Sequence, residues 1–274
     1  MTDGVAEISF GRREGITRLV HLYQRDPLRV LFPAPAAGDP PLAVLLITSG
    51  GLVAGDRLNI DVCVAEGAAH VTASAAEKVY RSCGPTTEIR QSLSVAAGGA
   101  LEFLPLETIL FVGARLRRET TIELGSGAAF LGGDIVVFGR RARGERFASG
   151  FLREVWQVQR DGRLVWGDAL HLDGDIAGII DDPACFDGAA AFATMILAPA
   201  GRDPRSFLDC ARTVQAASAT DVVRSGVTVI AGLVVARWLA ADAAALRRAY
   251  ADLASRLRCD AMGLPPGLPR LWHV

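Results

Sequence analysis

Apolar and polar residues alternate with a period of two along much of the first two thirds of the chain. The alternation is clearest at 58–64, 89–95 and 120–124. Because this period places every second side chain on one face, each segment is predicted to be a strand with one buried face. Two further runs within 155–166 flank Asp161-Gly162, a pair typical of hairpin turns. The first two thirds of the chain are therefore expected to be mainly β.

A weak repeat runs through the same region. A Gly-Ala turn leads into a new strand near Ala68, Ala100 and Ala128, at intervals of 32 and 28 residues. Strand units stacked around a shared core produce such a pattern, although Gly-Ala turns are also common in any chain rich in these residues. We expect stacked strands in a solenoid-like body.

The last third of the chain has a mixed pattern. Asp203-Pro204 is typical of a helix start, and Asp242 can cap a second helix that ends at Gly263. The residues at 226–238, between the two helices, have the apolar character of a buried strand pair. The buried face of the second helix is predicted to carry Leu246, Ala249, Tyr250, Leu253 and Leu257. The fold class expected is a mainly β body with two α-helices near the C-terminus.

The two regions are expected to form one domain. No linker rich in Pro and Ser divides them, and 33–41 is short enough to be a loop between early strands. We therefore predict a single domain over 1–274, β-rich in 1–200 and mixed α/β in 201–274.

Composition narrows the class of protein. The 274 residues carry a formal net charge of −1, which does not suit a nucleic-acid-binding surface. The longest apolar run, 188–200, is shorter than the roughly 20 residues that span a bilayer, and no apolar signal segment stands near Met1. The 5 cysteines form no CxxC pair and are interpreted as buried or idle thiols. These features predict a cytoplasmic protein that binds neither nucleic acid nor membrane.

One short segment carries unusual chemistry. Lys78 is the single lysine among 29 Lys and Arg residues. It stands beside Glu77 and close to Tyr80 and Arg81. Lysine is a flexible point charge, whereas arginine is a rigid fork, so a lone lysine suggests a position that requires an ammonium group. The segment is either an ordinary surface face or the lining of a polar channel.

A glycine-rich turn precedes that segment. It contains Gly50, Gly51, Gly55 and Asp56, and a strand rather than a helix is expected after it, so it is not a phosphate-binding loop. Glycines permit positive φ and close approach of the backbone. Asp56 is either a structural turn acid that binds nearby amides or a carboxylate presented to a cavity.

The remaining candidates are scattered. Four arginines, Arg140 among them, surround Glu145 in a segment that follows a predicted strand with Asp134 near its start. This segment is interpreted as an anion patch or a protein-docking rim. The four histidines are far apart, and 171–175 is an acidic loop around one of them. The sequence contains no nucleophile elbow, so its motifs do not support catalysis.

Taken in order, these motifs resemble the urease accessory protein UreD family, called UreH in some bacteria. The segments that carry the resemblance are Gly50 to Leu58, Lys78 to Ser82, Leu104-Pro105, Gly139 to Glu145 and Pro269 to Trp272. They span nearly the whole chain, and their order is more specific than any one of them. Ala54 departs from the family pattern, which usually has glycine there, so an ordinary φ is expected at this residue.

The resemblance implies a non-enzymatic scaffold on a fold of stacked strands. UreD-like proteins bind apo-urease and join UreF and, through UreF, the nickel-carrying GTPase UreG. The resemblance also implies that nickel(II) passes through a polar tunnel, without a permanently bound cofactor. Carboxylates suit such transit because they bind a divalent cation weakly and exchangeably.

The residues of such a path can be named as a hypothesis. We expect Asp56, Asp134, Glu145 and Asp168 to line it. Lys78, Tyr80 and Arg81 would hold these carboxylates through charge-assisted hydrogen bonds, with Gly50, Gly51, Gly55 and Arg140 as supporting motif residues. The last helix suggests a separate role. We expect its polar side to carry Arg247, Arg248, Arg256 and Arg258. This side is either an interface for UreF or an ordinary solvated face.

Two interpretations, each a different class of protein, remain open from the sequence alone. A hydrolase on a β-rich scaffold would need two carboxylates across a cleft, about 5–10 Å apart. A metal-storage protein would need clustered His and Cys, which the sequence lacks. Turnover by the isolated protein would identify the hydrolase, and tight nickel binding in equilibrium dialysis would identify the storage protein.

Overall fold

The computed structural model of the protein describes residues 1–273, which form two facing β-sheets with two helices from the last third of the chain packed on the outer face of one of them. The strands of the seven-stranded sheet, in spatial order, are β14 (Arg163–Leu172), β13 (Phe151–Arg160), β11 (Arg115–Leu124), β8 (Thr87–Val95), β5 (Arg57–Val64), β1 (Asp3–Arg13) and β2 (Ile16–Arg25). The mainly β fold predicted from the alternating pattern is confirmed.

The ten-stranded sheet lies opposite. Its main path, in spatial order, is β16 (Val223–Ile230), β17 (Leu233–Ala240), β15 (Ala191–Pro199), β12 (Ala129–Phe138), β9 (Ala100–Leu104), β6 (Ala68–Ala73), β4 (Leu42–Ile47) and β3 (Leu28–Leu31). Two short strands, β10 (Thr108–Leu110) and β7 (Glu77–Val79), join it beside β12. The strands from the last third of the chain therefore share a sheet with strands from the first two thirds.

The central strands alternate between the two sheets, which explains the weak repeat. β5, β8 and β11 pair in parallel in one sheet, while β6, β9 and β12 pair in parallel in the other. Ala100 pairs with Ala68 on one side and with Ala129 on the other. The predicted stacking is thus present, and the third unit is shifted by one residue from the expected Ala128.

The predicted local elements also form. β13 and β14 make a hairpin whose turn residues Asp161 and Gly162 both have positive φ. The predicted strand pair is the hairpin of β16 and β17, although β16 is an edge strand and mostly exposed. Ala54 is absent from the positive-φ residues in the described chain, as expected for alanine.

Three α-helices occur within residues 1–273: α1 (Ile176–Asp181), α2 (Leu208–Ser218) and α3 (Ala243–Met262). The chain enters α2 through a short 3-10 turn at Pro204–Phe207, where the Asp203 side chain accepts a hydrogen bond from the Arg205 amide. Asp242 caps α3, which ends at Gly263 in the left-handed conformation. α1 was not predicted, because its six residues are too few to show a helical period.

The core has two layers. One lies between the sheets, and the other lies between the ten-stranded sheet and α3, with all five predicted apolar residues of α3 buried in it. Within 1–273 the helices lack the combination of length and apolar character needed to span a membrane.

Candidate functional site

A buried arginine lies at the centre of the space between the sheets. Arg118 on β11 is 3% exposed. Its guanidinium donates hydrogen bonds to Glu154 on β13 at 2.5 Å, to Thr108 on β10 at 2.8 Å and to Asp134 on β12 at 2.5 Å. One side chain therefore links strands of both sheets, and we call Glu77, Thr108, Arg118, Asp134 and Glu154 the interior cluster.

The strand pattern places Arg118 inside. Along β11 the buried residues alternate strictly with exposed or half-buried ones, and Arg118 occupies a buried position between the exposed Arg117 and Glu119. Glu154 takes a buried position on β13 in the same way. Sequence reasoning missed both residues, although extending the alternation of 120–124 back by one step would have placed Arg118 on the buried face.

The interior cluster holds more carboxyl groups than cations. Burial raises the pKa of Glu77 to about 7, against a smaller lowering by the charge of Arg118. Burial, and then the charge of Glu154, also raises the pKa of Asp134 well above its ordinary range. Burial alone would raise the pKa of Glu154, but the charge of Arg118 and hydrogen bonds from Asp134 and Arg118 outweigh it and lower that pKa. The cluster therefore retains protons on some of its carboxyl groups near neutral pH.

Two carboxylate oxygens of the interior cluster lack a hydrogen-bond partner. Oε1 of Glu77 and Oε2 of Glu154 are buried and have no hydrogen-bond partner among residues 1–273. Oε1 of Glu77 is inaccessible even though the residue as a whole is only half-buried. Buried acceptors without partners are rare in folded proteins and require an explanation.

A cavity of about 270 Å³ connects this cluster to the glycine-rich turn. Its lining includes Gly50 and Gly51 at one end, Glu77 and Lys78, and Arg118 and Thr108. Gly51 is required there because a side chain at this position would collide with the ring of Tyr80. Two motifs that are separate in sequence, the glycine turn and the Glu77-Lys78 segment, thus line one space with the buried arginine.

The cavity lies where strand pairing is interrupted. β12 pairs with β9 up to Gly132 and with β10 from Val136 onward, so Asp134 stands opposite the break. The break contains Pro105, which lacks the amide that a continuous ladder would need. The Leu104-Pro105 motif therefore opens the sheet beside the interior cluster.

Polar groups continue from the cluster toward the opposite edge. In the ten-stranded sheet Asp134 is in register with Thr194, and Thr194 with Arg237. Thr194 is buried, and Arg237 pairs with Asp168 of the other sheet at 2.5 Å. Asp168 and Arg237 line a second cavity of about 440 Å³. Of the four predicted path residues, Asp134 and Asp168 lie along this row.

Glu145 lies in a surface cluster with other motif residues. Tyr80 donates a hydrogen bond to the Gly50 carbonyl at 3.1 Å and packs edge-on against Phe111. The guanidinium of Arg140 lies over the same ring at 4.2 Å and pairs with Glu145. Hydrogen bonding from Arg140 lowers the pKa of Glu145. Gly50, Tyr80, Arg140 and Glu145 are therefore brought together, as supporting groups of a surface rather than of the interior cluster.

Asp56 has the turn role that the sequence left open. Its carboxylate accepts hydrogen bonds from the Thr2 amide at 2.7 Å and the Val53 amide at 3.0 Å, and it is 2% exposed. Gly55 beside it has a positive φ. Both carboxylate oxygens are thus engaged by backbone amides, at the residue that precedes β5. A place for Asp56 in the path stays a prediction.

The expected partners of the carboxylates differ from those observed. Lys78 is exposed and forms no ion pair with a described residue. Arg81 packs its side chain near Gly113 and pairs through its backbone with Ala114. Arg118 performs the task expected of these residues, because it stands on a long strand whose inner face reaches the centre of the sandwich.

The arginines of α3 also differ from the expectation. Arg258 is 1% exposed and binds Glu102, so it does not belong to a solvated face. Arg247 pairs with Glu107, and Arg256 pairs with Asp260. Arg248 alone of the four has no ion pair within the described part of the chain.

The arrangement limits the chemistry available. No group of three or more His, Cys, Asp or Glu side chains within residues 1–273 is placed to hold a metal ion. Asp134 and Glu154 are both buried beside the same guanidinium and are close enough to hydrogen-bond to each other, so they do not flank an open cleft. The interior cluster offers oxygen atoms, the ligands that suit weak cation binding.

Comparison with known proteins agrees with this picture. The family model described as UreD urease accessory protein matches residues 2–273. A protein named urease accessory protein UreD from Magnetococcus marinus is 42% identical over 274 residues, covering 99% of this chain and 94% of the relative. Its namesakes from Methylobacterium sp. and Rhodopseudomonas palustris are 43% and 40% identical and cover 95% and 98% of this chain. The chain belongs to the UreD family of urease accessory proteins.

Proposed function

We propose that this protein serves urease maturation as a non-enzymatic scaffold that binds apo-urease and, together with UreF and UreG, passes nickel(II) through its polar interior to the urease active site. Membership of the UreD family gives the maturation role. The partners and the route are our proposal. Nickel is cargo in this function, and the urease site is completed on urease.

The observation that carries the proposal is the row of buried polar groups between the two sheets. Taking a carboxylate into a protein interior costs several kcal/mol, and well-packed apolar residues are often as stable or more stable there (on the order of 1–4 kcal/mol). Three carboxyl groups around Arg118 are therefore a poor choice for stability alone. Oε1 of Glu77, and Oε2 of Glu154 once Asp134 has released its proton, would supply ligands for a passing cation.

The residues along this route would have different roles. Glu77 faces the first cavity and would meet the cation first, while Asp134 and Glu154 lie deeper. Arg118 neutralises part of their charge, which keeps affinity low enough for the ion to leave. Asp168 stands at the second cavity. The surface cluster of Tyr80, Arg140 and Glu145 lies beside the glycine turn and suits contact with a partner protein.

Urease activity in cells tests the proposal. Cells carrying urease and all accessory genes, with and without this gene, are compared under limiting nickel. We expect activity to depend on this chain and to recover partly with excess nickel or bicarbonate. Equal activity in both strains, with this protein expressed and folded, would refute a role in maturation.

The route is tested separately by variants of the cluster. Loss of activation in a folded cluster variant, with normal binding to apo-urease, supports passage through the interior. Normal activation by every folded cluster variant would leave the scaffold role intact and remove the route.

A further inference from the structure

A groove lies on the side of the ten-stranded sheet away from the interior cluster. Its volume is about 910 Å³. One wall is the segment 31–40 after β3, and the other is 268–271 near the C-terminus. Leu31 and Phe32 stand on the first wall with 51% and 39% of their surface exposed. Large apolar side chains exposed side by side mark interaction surfaces more often than isolated ones do.

The two walls are held by one buried side chain. Arg258 donates hydrogen bonds to Glu102 at 2.8 Å and 3.0 Å and to Asp39 in the first wall at 2.8 Å. It also donates to the carbonyls of Pro265 and Gly267, which lead into the second wall. The groove is therefore fixed before anything binds, and preorganisation of this kind lowers the entropy lost on association.

A polar group without a partner lines the groove. His70 is 2% exposed, and its Nδ1 lies 3.1 Å from Glu102. Its other ring nitrogen, Nε2, has no hydrogen-bond partner within residues 1–273. A buried ring nitrogen without a partner is costly, and His70 is one of the residues that line this groove.

The charge available in the groove is positive. Arg270 is exposed on the second wall and forms no ion pair with the described residues. The carboxylate of Asp39, the acid in the lining, is already paired with Arg258. Several lining positions are prolines, Pro33, Pro35 and Pro269 among them, so the walls offer few amides for strand pairing.

We propose that this groove binds a segment of a partner protein in which large apolar side chains flank a carboxylate. The apolar residues would pack on Leu31 and Phe32, and the carboxylate would pair with Arg270. A hydrogen-bonding group of the same segment would meet Nε2 of His70. The choice of a maturation partner rests on the proposed function, but the chemistry of the segment rests on the groove alone.

Site-specific cross-linking tests the occupant. Phe32 is replaced by p-benzoylphenylalanine in the full chain, which is then irradiated in cells that co-express urease and its accessory proteins. Leu164, 61% exposed on β14 of the other sheet, receives the same replacement as the matched control. We expect a cross-link from position 32 to one partner segment with apolar residues around an acid, and none to that segment from position 164.

Charge reversal tests the ion pair. Arg270→Glu is expected to lower the cross-link yield about tenfold, between the small effect of an exposed pair and the large effect of a buried one. Replacing the acid of the captured segment by lysine should restore the yield. Arg163→Glu, at an exposed position of β14 on the other sheet, should leave the yield unchanged.

The outcomes separate this inference from the proposed function. The groove assignment alone would be refuted by a cross-link to a second copy of this chain or to a segment without an acid. It would also be refuted if position 32 cross-links to no protein while urease activation still depends on this chain. If urease activation does not depend on the chain, the proposed function fails, and the composition of the captured segment still decides the groove.

Discussion

Asp134 on the ten-stranded sheet and Arg118 on the seven-stranded sheet form a buried ion pair of 2.5 Å across the interior of the sandwich. The same guanidinium pairs with Glu154 on its own sheet at 2.5 Å. The two sheets are therefore joined by charge at a place where apolar packing would be the simpler choice. This relationship gives the first two predictions.

Removal of the cation should destabilise the protein strongly. Arg118→Met leaves buried carboxyl groups without their partner, and we expect the free energy of unfolding to fall by about 3–5 kcal/mol. Urea denaturation at neutral pH measures the change. The matched control is Arg117→Met on the exposed face of β11, for which a change within about 0.5 kcal/mol is expected. Equal effects of the two substitutions would contradict the central role of Arg118.

Removal of one carboxyl group should impair nickel delivery more than stability. Asp134→Asn keeps a hydrogen-bonding group beside Arg118 but cannot release a proton to bind a cation. We expect urease activation at limiting nickel to fall about tenfold, as found for supporting groups of metal sites, and to recover with excess nickel. Glu119→Gln, exposed on β11, is the control. Full activation by a folded Asp134→Asn protein would place the route elsewhere.

Glu77 should make stability depend on pH. Its pKa is raised from an ordinary 4.5 to about 7 in the folded protein, so the folded state binds the proton more tightly than the unfolded state does. Stability contributed by the protonated form is present below pH 4.5 and is lost as pH rises through about 7. The loss is on the order of 3 kcal/mol.

Glu77→Gln removes this titration. Urea midpoints at about pH 5 and about pH 8 should therefore differ less in the variant than in the native protein. Asp134 also has a raised pKa, so a smaller decline with pH should persist. An unchanged pH profile would show that the carboxyl group of Glu77 is solvated.

Asp56 should matter first for stability. Asp56→Ala leaves the amides of Thr2 and Val53 without their acceptor, and we expect a loss of about 1–3 kcal/mol in the free energy of unfolding. Urease activation, measured per folded molecule, should stay close to that of the native protein. Reduced activation by a folded Asp56→Ala protein would instead establish the path role that the sequence suggested.

The pair of Arg258 and Glu102 should stabilise the protein except in strong acid. Burial alone would raise the pKa of Glu102, but His70 and Arg258 hold it at about 2, below its ordinary 4.5. The stability from Glu102 is therefore present above pH 4.5 and is lost as pH falls through about 2. Glu102→Gln should flatten acid unfolding in that range, as followed by circular dichroism, whereas Glu88→Gln on the sheet surface should not.

Local patterns in the sequence determined much of the fold. Period-two alternation identified the strands, and the caps at Asp203 and Asp242 located two helices, because these signals depend on near neighbours. The choice of partners for the carboxylates could not be predicted in this way. Arg118 meets Asp134 only after two sheets have packed, and Arg258 meets Glu102 from 156 residues away.

The same contrast between local signals and long-range contacts applies to the residues of the candidate site. Asp134 and Asp168 were named as expected path residues, and the structure places them along one polar row. Glu77 was noted only as a neighbour of Lys78, and Glu154 was not noted at all. Glu154 is recognised by its buried position on β13, whereas Glu77 is half-buried and is recognised by its buried Oε1.

The break in strand pairing at Pro105 has a consequence for how the size of the two sheets could change without closing the interior. The strands on either side of this break pair in parallel within each sheet. Each added pair of strands, one per sheet, would widen both sheets by one strand spacing, about 4.8 Å. Adding or removing such a pair would therefore change the distance between the two cavities, whereas the gap beside Asp134 is set by Pro105, which cannot donate a hydrogen bond. The length of the polar row and its access from the first cavity thus depend on different parts of the fold.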